Sequence, residues 1–118
     1  MISKIFYINN NPFNLYIALT DYEIQKGLMF VKELNESSGM IFIFNKPEIK
    51  HFWMKNTFIP LDILFINEDF KIIHIHKCAK PLDETPISSK IAVKYIIELN
   101  CGIVDSYNIK IGDTIFSD

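Results

Sequence analysis

The chain has 118 residues, of which 49% are hydrophobic and 22% are charged. This length predicts one domain over residues 1–118, and the composition excludes wholesale disorder. The formal net charge is −2, and all 12 basic residues are lysines. We therefore expect no nucleic-acid partner, and no guanidinium group is available to grip a phosphate. No stretch reaches the roughly 18 apolar residues of a membrane span.

The start of the chain and its cysteines bear on the compartment. The apolar run within residues 1–9 is too short for the core of a signal peptide. The sequence as it stands predicts a cytoplasmic protein, or a periplasmic or extracellular one if a leader has been trimmed. In the absence of a secretion signal, we expect Cys78 and Cys101 to be reduced thiols.

The first third of the chain predicts a β-hairpin followed by a short helix. Residues 4–8 are rich in strand-forming side chains, and residues 13–19 alternate between apolar and other side chains. Thr20 and Glu23 have the spacing of a capping box, which predicts a helix start. Gly27 is expected to end that helix in a left-handed backbone conformation.

The remainder of the chain predicts more strands and almost no helix. Residues 80–89 form the longest expected loop, and residues 102–107 are expected to form one helical turn. Together these patterns predict a mainly β fold, either a β-sandwich of jelly-roll type or a distorted barrel, with one or two short helices. The further expected strands are residues 40–44, 61–66, 70–77, 91–99 and 114–116.

The stretch of residues 51–66 holds the single tryptophan, Trp53, and an acidic residue inside an apolar strand, Asp62. A carboxylate that faces a core is costly unless it is paired or hydrogen-bonded. One interpretation is that Asp62 accepts hydrogen bonds from local backbone and holds the loop of residues 56–60. The other is that Asp62, Asn56 and Trp53 line a ligand pocket.

Several sequence blocks resemble the domain-of-unknown-function 192 family, and the resemblance covers nearly the whole chain. Phe-Trp-Met-Lys-Asn-Thr and the Pro-Leu-Asp that follows are the most specific pair. The resemblance implies a compact all-β domain of a family found in many prokaryotes, often behind a secretion signal, and it implies no activity. The helix departs from the family pattern, because Glu23 is followed by Ile24 where the family usually has arginine. The blocks are residues 27–29, 38–44, 52–57, 59–63, 95–99 with Gly102, and 112–113.

Two groups of residues have the chemistry of metal ligands. His74, His76 and Cys78 alternate along one expected strand, and imidazole with thiolate suits zinc or copper. A second group combines methionines in the family blocks with His51, and thioethers with imidazole can hold Cu(I). The methionines are Met29, Met40 and Met54. In each case the simpler interpretation is structural: a half-exposed sheet face for the histidines and core packing for the methionines.

For function, the sequence favours a non-enzymatic binding module with a small polar ligand. The expected ligand-binding residues are Trp53, Lys55, Asn56, Asp62 and Glu98. An alternative is a small enzyme with a general acid and base drawn from the carboxylates of the family blocks. Those carboxylates are Glu23, Asp62, Glu98 and Asp113. A structural or protein-interaction role is the third possibility, and it would need an exposed apolar patch. No catalytic residue, cofactor, metal site or oligomeric state is identified by the sequence.

Overall fold

The structure is a computed structural model that describes residues 2–118. Within this range, strands alternate with turns, and two short helices occur. Neither helix is long and apolar enough to cross a membrane. The elements in chain order are β1 (Ser3–Ile8), β2 (Asn11–Ala18), α1 (Asp21–Lys26), β3 (Ser38–Glu48), β4 (His51–Phe52), β5 (Leu61–Ile66), β6 (Ile72–Ala79), β7 (Ile87–Ser88), β8 (Val93–Asn100), α2 (Ile103–Ser106) and β9 (Ile115–Ser117).

The mainly β prediction is confirmed, and most local predictions hold within two residues. The hairpin of β1 and β2 is present. The Thr20 hydroxyl accepts from the Glu23 N–H while the Glu23 carboxylate accepts from the Thr20 N–H, so the capping box forms as expected. Gly27 follows the helix with a φ of 49°. The expected loop of residues 80–89 contains an additional short strand, β7, which pairs with β4.

Seven strands form one sheet in the order β6-β5-β8-β3-β2-β1-β9. All neighbours are antiparallel except β2 and β3, which are parallel because α1 and the following loop carry the chain back between them. The two edges of the sheet approach each other near its end. The Ile72 N–H donates to the Asp113 carbonyl over 2.9 Å, and Lys71 and Thr114 form an isolated antiparallel β-bridge through their backbones. The sheet is therefore curled into a half-barrel, the barrel-like alternative of the sequence prediction.

Both faces of the sheet are covered by apolar side chains, so the central strand β5 is buried along its whole length. One face packs against α2 and the chain that leads to β9. Its fully buried members include Ile8, Phe13, Leu15, Leu64, Ile66, Ile72, Ile97 and Leu99. The other face packs against the segments after α1 and around β4. Its fully buried members include Ala18, Phe42, Met54, Leu61, Ile63, Phe65, Val93 and Ile96.

Asp62 lies on β5 and is 1% exposed. One carboxylate oxygen accepts from the Cys78 N–H over 2.9 Å. The other accepts from the N–H groups of Gly102 and Val104 over 3.1 and 3.0 Å. Asp62 is thus an acceptor for backbone groups, as one interpretation holds, but the groups belong to β6 and to the start of α2. The prediction that Asp62 holds the loop of residues 56–60 was wrong, because proximity in the sequence does not reveal which distant strands adjoin β5.

The prediction of reduced cysteines is contradicted, because Cys78 and Cys101 form a disulfide with a Cα–Cα distance of 4.6 Å. Cys78 lies on β6 and Cys101 directly follows β8, and these two strands flank β5 on opposite sides. Two features bring the cysteines together. A bulge in β6 opposite Asp62 leaves Cys78 with a φ of 50°, and the Cys101 N–H donates to the Pro60 carbonyl just before β5 begins. The bridge therefore closes the end of β5, an arrangement that cysteine spacing alone does not reveal.

Removing the disulfide should destabilise the protein markedly. The two cysteines are 23 residues apart, and closing a loop of that length removes unfolded-state entropy worth about 3 kcal/mol. The double variant Cys78→Ala/Cys101→Ala should lose about that much in urea denaturation. Wild-type protein in excess reductant should show the same loss. If neither sample is destabilised, the bridge does not constrain the protein in solution.

Replacing Asp62 should be costly because three backbone donors depend on its carboxylate. Asp62→Asn keeps the shape but turns one acceptor into a donor that faces an N–H group, with an expected loss of about 1 to 3 kcal/mol at neutral pH. The measurement is urea denaturation at equilibrium. A suitable control is Asp105→Asn at the same end of the sheet, whose exposed pair with Lys77 should contribute less than about 1 kcal/mol. Equal stability of Asp62→Asn and wild type would contradict the proposed role of Asp62.

Candidate functional site

A cleft of about 310 Å³ lies between the end of α1 with the residues after it and the segment around β4. We call it the Glu98 cleft after the acidic residue that it contains. A wider groove of about 590 Å³, here the outer groove, adjoins the cleft and shares Gln25, Lys26, Met29 and Trp53 with it. The remaining lining residues of the cleft are Ile24, Gly27, Leu28, Phe42, Phe44, Lys50, His51, Phe52, Thr57 and Glu98.

Glu98 is the acidic residue among those that line the cleft, and it is 6% exposed. It lies on β8 directly opposite Ile63 of β5, on the sheet face that packs toward α1 and β4. Within residues 2–118, no protein group donates a hydrogen bond to its carboxyl group, and no salt bridge reaches it. Burial without a partner raises the pKa of Glu98 to about 7. The carboxyl group of Glu98 therefore titrates close to neutral pH.

Gly27 provides the space above Glu98. A Cβ atom at this position would lie 3.1 Å from Cζ of Phe42 and 3.9 Å from a carboxylate oxygen of Glu98. The backbone also has a positive φ there, which side-chain-bearing residues rarely adopt. The missing side chain lets the backbone after α1 pass closely over Phe42 and leaves the carboxyl group open to the cleft.

The opposite wall is formed by a loop that the rest of the protein holds in place. The Phe30 N–H donates to the Asn56 carbonyl, and the Met54 N–H donates to the Asp83 carbonyl, over 2.9 and 2.8 Å. The Thr57 hydroxyl donates to the Lys55 carbonyl over 3.2 Å. These bonds fix the loop on both sides, so the cleft exists before any ligand arrives.

The structure brings most, though not all, of the expected ligand-binding residues together. Trp53, Lys55 and Asn56 line the outer groove, and Trp53 and Glu98 line the cleft. Trp53 is 46% exposed, and the Lys55 ammonium lies 5.0 Å from the centre of its ring. Asp62 lines neither space, because it faces the other side of the sheet and its two oxygens are occupied by three N–H groups.

The carboxylates proposed for paired acid–base catalysis are not assembled in the cleft. Glu23 accepts from the N–H groups of Leu19 and Thr20, which lowers its pKa. Asp113 accepts from the Lys110 N–H in the turn before β9. With Asp62 bound to backbone groups, Glu98 is the one member of the set that meets the cleft.

The expected metal-ligand group of His74, His76 and Cys78 is not assembled among the described residues. Cys78 is bonded to Cys101, and the His74 ring is stacked on Phe65 with ring centres 5.4 Å apart. One cluster of three potential ligands converges, namely Asp62 with the two cysteines, but its sulfurs are bonded to each other. Of the methionines, Met40 and Met54 are buried in the core. Their structural interpretation agrees with this packing.

The expected ligand-binding set omitted several cleft residues, among them Phe52 and Thr57, and the backbone contribution of Gly27. A signal for them was present in the family blocks. The blocks at residues 27–29, 38–44, 52–57 and 95–99 each contribute at least one residue to this cleft. Blocks that lie far apart in the sequence therefore meet at one place in the fold.

The buried carboxyl group of Glu98 should make stability depend on pH. Its pKa is about 7 when folded, against 4.5 for an ordinary glutamate, so the folded state holds the proton more tightly. The free energy of unfolding should therefore fall as pH rises from about 4.5 to about 7 and change no further above that range. The contribution of Glu98 to this fall should be about 3 kcal/mol.

Urea denaturation of Glu98→Gln across this pH range isolates that contribution from other titrating groups. The glutamine variant should be more stable than wild type at pH 8, and its advantage should disappear toward pH 4.5. Glu36→Gln, at an exposed loop position, should keep the wild-type profile. A constant difference between wild type and Glu98→Gln at all pH values would show that the carboxyl group is not isolated from water or partners.

Comparison with known proteins places the chain in a family. The DUF192 family model, described as "Uncharacterized ACR", matches residues 5–116. A crystal structure of a protein of unknown function from Novosphingobium aromaticivorans DSM 12444 is 36% identical with a TM-score of 0.93, over 97% of this chain and 84% of that one.

A second crystal structure, of a "putative transcription regulator" from Sinorhizobium meliloti 1021, is 31% identical with a TM-score of 0.93. The match covers 98% of this chain and 94% of that one. No curated protein matches the chain. The family match over nearly the whole chain agrees with the resemblance inferred from the sequence blocks, and we conclude that the chain belongs to the DUF192 family.

Proposed function

We propose that the protein is a small binding module and that its ligand occupies the Glu98 cleft and extends into the outer groove. The observation that carries this proposal is the buried carboxyl group of Glu98, which has no protein partner and opens into the cleft. Its oxygens are not sealed from the cleft, because no side-chain N or O atom of the described residues is both fully buried and without a hydrogen-bond partner. A ligand in the cleft can therefore reach the carboxyl group and supply hydrogen bonds that the protein does not.

The shape and composition of the site support the same proposal. The walls are mainly apolar and aromatic, with few polar groups, as is usual for small-molecule sites. The cleft is preformed by the loop contacts of Asn56 and Met54 described above, which reduces the ordering cost of binding.

A catalytic or nucleic-acid-binding role is less well supported. Acid–base catalysis by paired carboxylates needs a second carboxylate, and the described lining of the cleft and outer groove offers none beside Glu98. The name of the Sinorhizobium relative suggests gene regulation, but a net charge of −2 and the lack of arginine do not favour nucleic-acid binding here.

The disulfide bears on where the protein works. Disulfides persist in oxidising compartments and are rare in a reducing cytosol. Because Cys78 and Cys101 are bonded to each other at the end of β5, we propose a periplasmic or extracellular location over the cytoplasmic one that the sequence alone suggested. Thiol counting on protein isolated from its native source tests this, since a cytoplasmic protein would yield two free thiols.

Fragment screening by ¹H–¹⁵N NMR tests the binding proposal while the natural ligand is still unidentified. Hits from a general fragment library should shift the amide signals of Gly27 and Thr57 and the indole signal of Trp53, because these groups border the cleft or the outer groove. Hits that shift only signals elsewhere, or a library that yields no hit, would contradict the proposal.

Two alanine variants distinguish a ligand wall from a structural aromatic residue. Trp53→Ala should cost only about 1 kcal/mol in stability because the ring is 46% exposed, yet it should weaken the binding of every hit in the outer groove. Phe116→Ala is the matched control, since Phe116 is 49% exposed and stacks on Tyr7 of β1, remote from the cleft. Phe116→Ala should bind the outer-groove hits as tightly as wild type does.

A further inference from the structure

The Glu98 cleft presents one carboxyl group, with aromatic side chains among its lining residues, and this combination selects the charge of a ligand. We propose that the cleft binds a compound with a single ammonium group on a small apolar or aromatic body, and that the ammonium group is seated against the Glu98 carboxylate. This inference rests on the binding function proposed above and names the chemical class of the ligand.

The carboxylate sets the first requirement. An ionised carboxylate is purely an acceptor, and in apolar surroundings it needs donors or a positive charge. The protein supplies neither: Lys50 pairs with Glu48 over 3.5 Å, and no cation of the described chain is paired with Glu98. An ammonium group provides up to three donors together with the compensating charge. It therefore satisfies Glu98 better than a neutral hydroxyl group does.

The aromatic residues of the site favour the same ligand. Ring faces attract cations through their quadrupole, most strongly where water is excluded. Two rings at this site already hold lysines in that way: the Lys50 ammonium lies 4.4 Å from the centre of Phe44, and that of Lys55 lies 5.0 Å from the centre of Trp53. Phe42 and Phe52 also line the cleft, so an apolar body attached to the ammonium group would meet hydrocarbon there.

The remaining charges limit the ligand to one positive charge. Lys26 and Lys50 also line the cleft. The Glu98 carboxylate compensates the charge of one bound ammonium group, whereas a second ammonium group would meet these lysines with no carboxylate left to offset the repulsion. Polyamines are therefore disfavoured, whereas an anionic substituent at the outer end would be tolerated. A divalent metal ion is not a suitable occupant, because a single carboxylate falls far short of the several oxygen ligands that such ions require.

Binding should be linked to the release of a proton. In the free protein, the Glu98 carboxyl group holds its proton up to about pH 7. When the ammonium ion binds, the charged form is favoured and the proton leaves to solvent, so one positive charge replaces another. Affinity should rise roughly tenfold between pH 6 and pH 8 as the ionised fraction of Glu98 increases.

The other charged or titratable groups that line the cleft are Lys26 of α1, and Lys50 and His51 at β4. Histidine is the one other side-chain type here that titrates near neutrality. His51→Gln is therefore the control, and it should retain the pH dependence of binding.

The test uses three probes of similar shape: benzylamine, which is a cation between pH 6 and pH 8, benzyl alcohol, which is neutral, and benzoate, which is an anion. Binding is followed at pH 8 by titration of the Gly27 amide signal. Benzylamine should bind at least tenfold more tightly than benzyl alcohol, and benzoate should not bind. Glu98→Gln should weaken benzylamine at least tenfold and change benzyl alcohol by less than threefold.

The outcomes of this test distinguish the ammonium inference from the proposed binding function. The ammonium inference is overturned if benzyl alcohol binds as tightly as benzylamine, if Glu98→Gln leaves benzylamine unaffected, or if benzylamine fails to bind in the cleft. In each case, library fragments that still shift the NMR signals of the cleft residues would continue to support the binding function. The ammonium inference is supported if benzylamine binds selectively, more tightly at pH 8 than at pH 6, in wild type and in His51→Gln.

Discussion

Two buried carboxyl groups on neighbouring strands determine how this protein is built and where it can act. β5 and β8 pair so that Asp62 lies opposite Leu99 and Ile63 lies opposite Glu98. Because side chains alternate along a strand, Asp62 and Glu98 face opposite sides of the sheet. Burial is costly for both groups. Backbone donors offset that cost for Asp62, whereas the Glu98 carboxyl group is left open to the cleft.

On the Asp62 side, the hydrogen bonds to the carboxylate connect elements that lie far apart in the chain. The carboxylate binds β6 through the N–H of Cys78 and the start of α2 through Gly102 and Val104. The disulfide closes the same end of β5. α2 in turn places Ile103 and Val104 in the apolar core of that face. On the other side, the carboxyl group of Glu98 has no such partner, and the cleft opens beside it.

Local patterns in the sequence predicted most of the elements and the mainly β fold class, and the family blocks implied the same class. The alternation of Phe13, Leu15 and Ile17 indicated β2, and Thr20 with Glu23 indicated the start of α1. These signals are local because capping and strand patterning depend on near neighbours. The family resemblance added a specific all-β domain, which the comparisons support.

The surroundings of the two carboxyl groups could not be predicted from the sequence because they depend on strand register and on a bulge. Asp62 accepts from groups 16, 40 and 42 residues away, which no spacing rule connects. The bulge that turns Cys78 toward Cys101 is likewise a property of the paired strands. Glu98 was among the candidates and lines the cleft, but a single sequence gives no indication that Asp62 would be bonded to backbone groups and Glu98 left open to the cleft.

The central claim is that Glu98 is a buried carboxyl group that lacks a protein partner, and carbon NMR tests it directly. The side-chain carboxyl signal of Glu98, assigned by its loss in Glu98→Gln, should be followed from pH 3 to pH 9 in the free protein. A midpoint near pH 7 is the result expected from its burial. A midpoint near 4.5, the ordinary glutamate value, would show that water or a protein donor satisfies the group and would contradict the account.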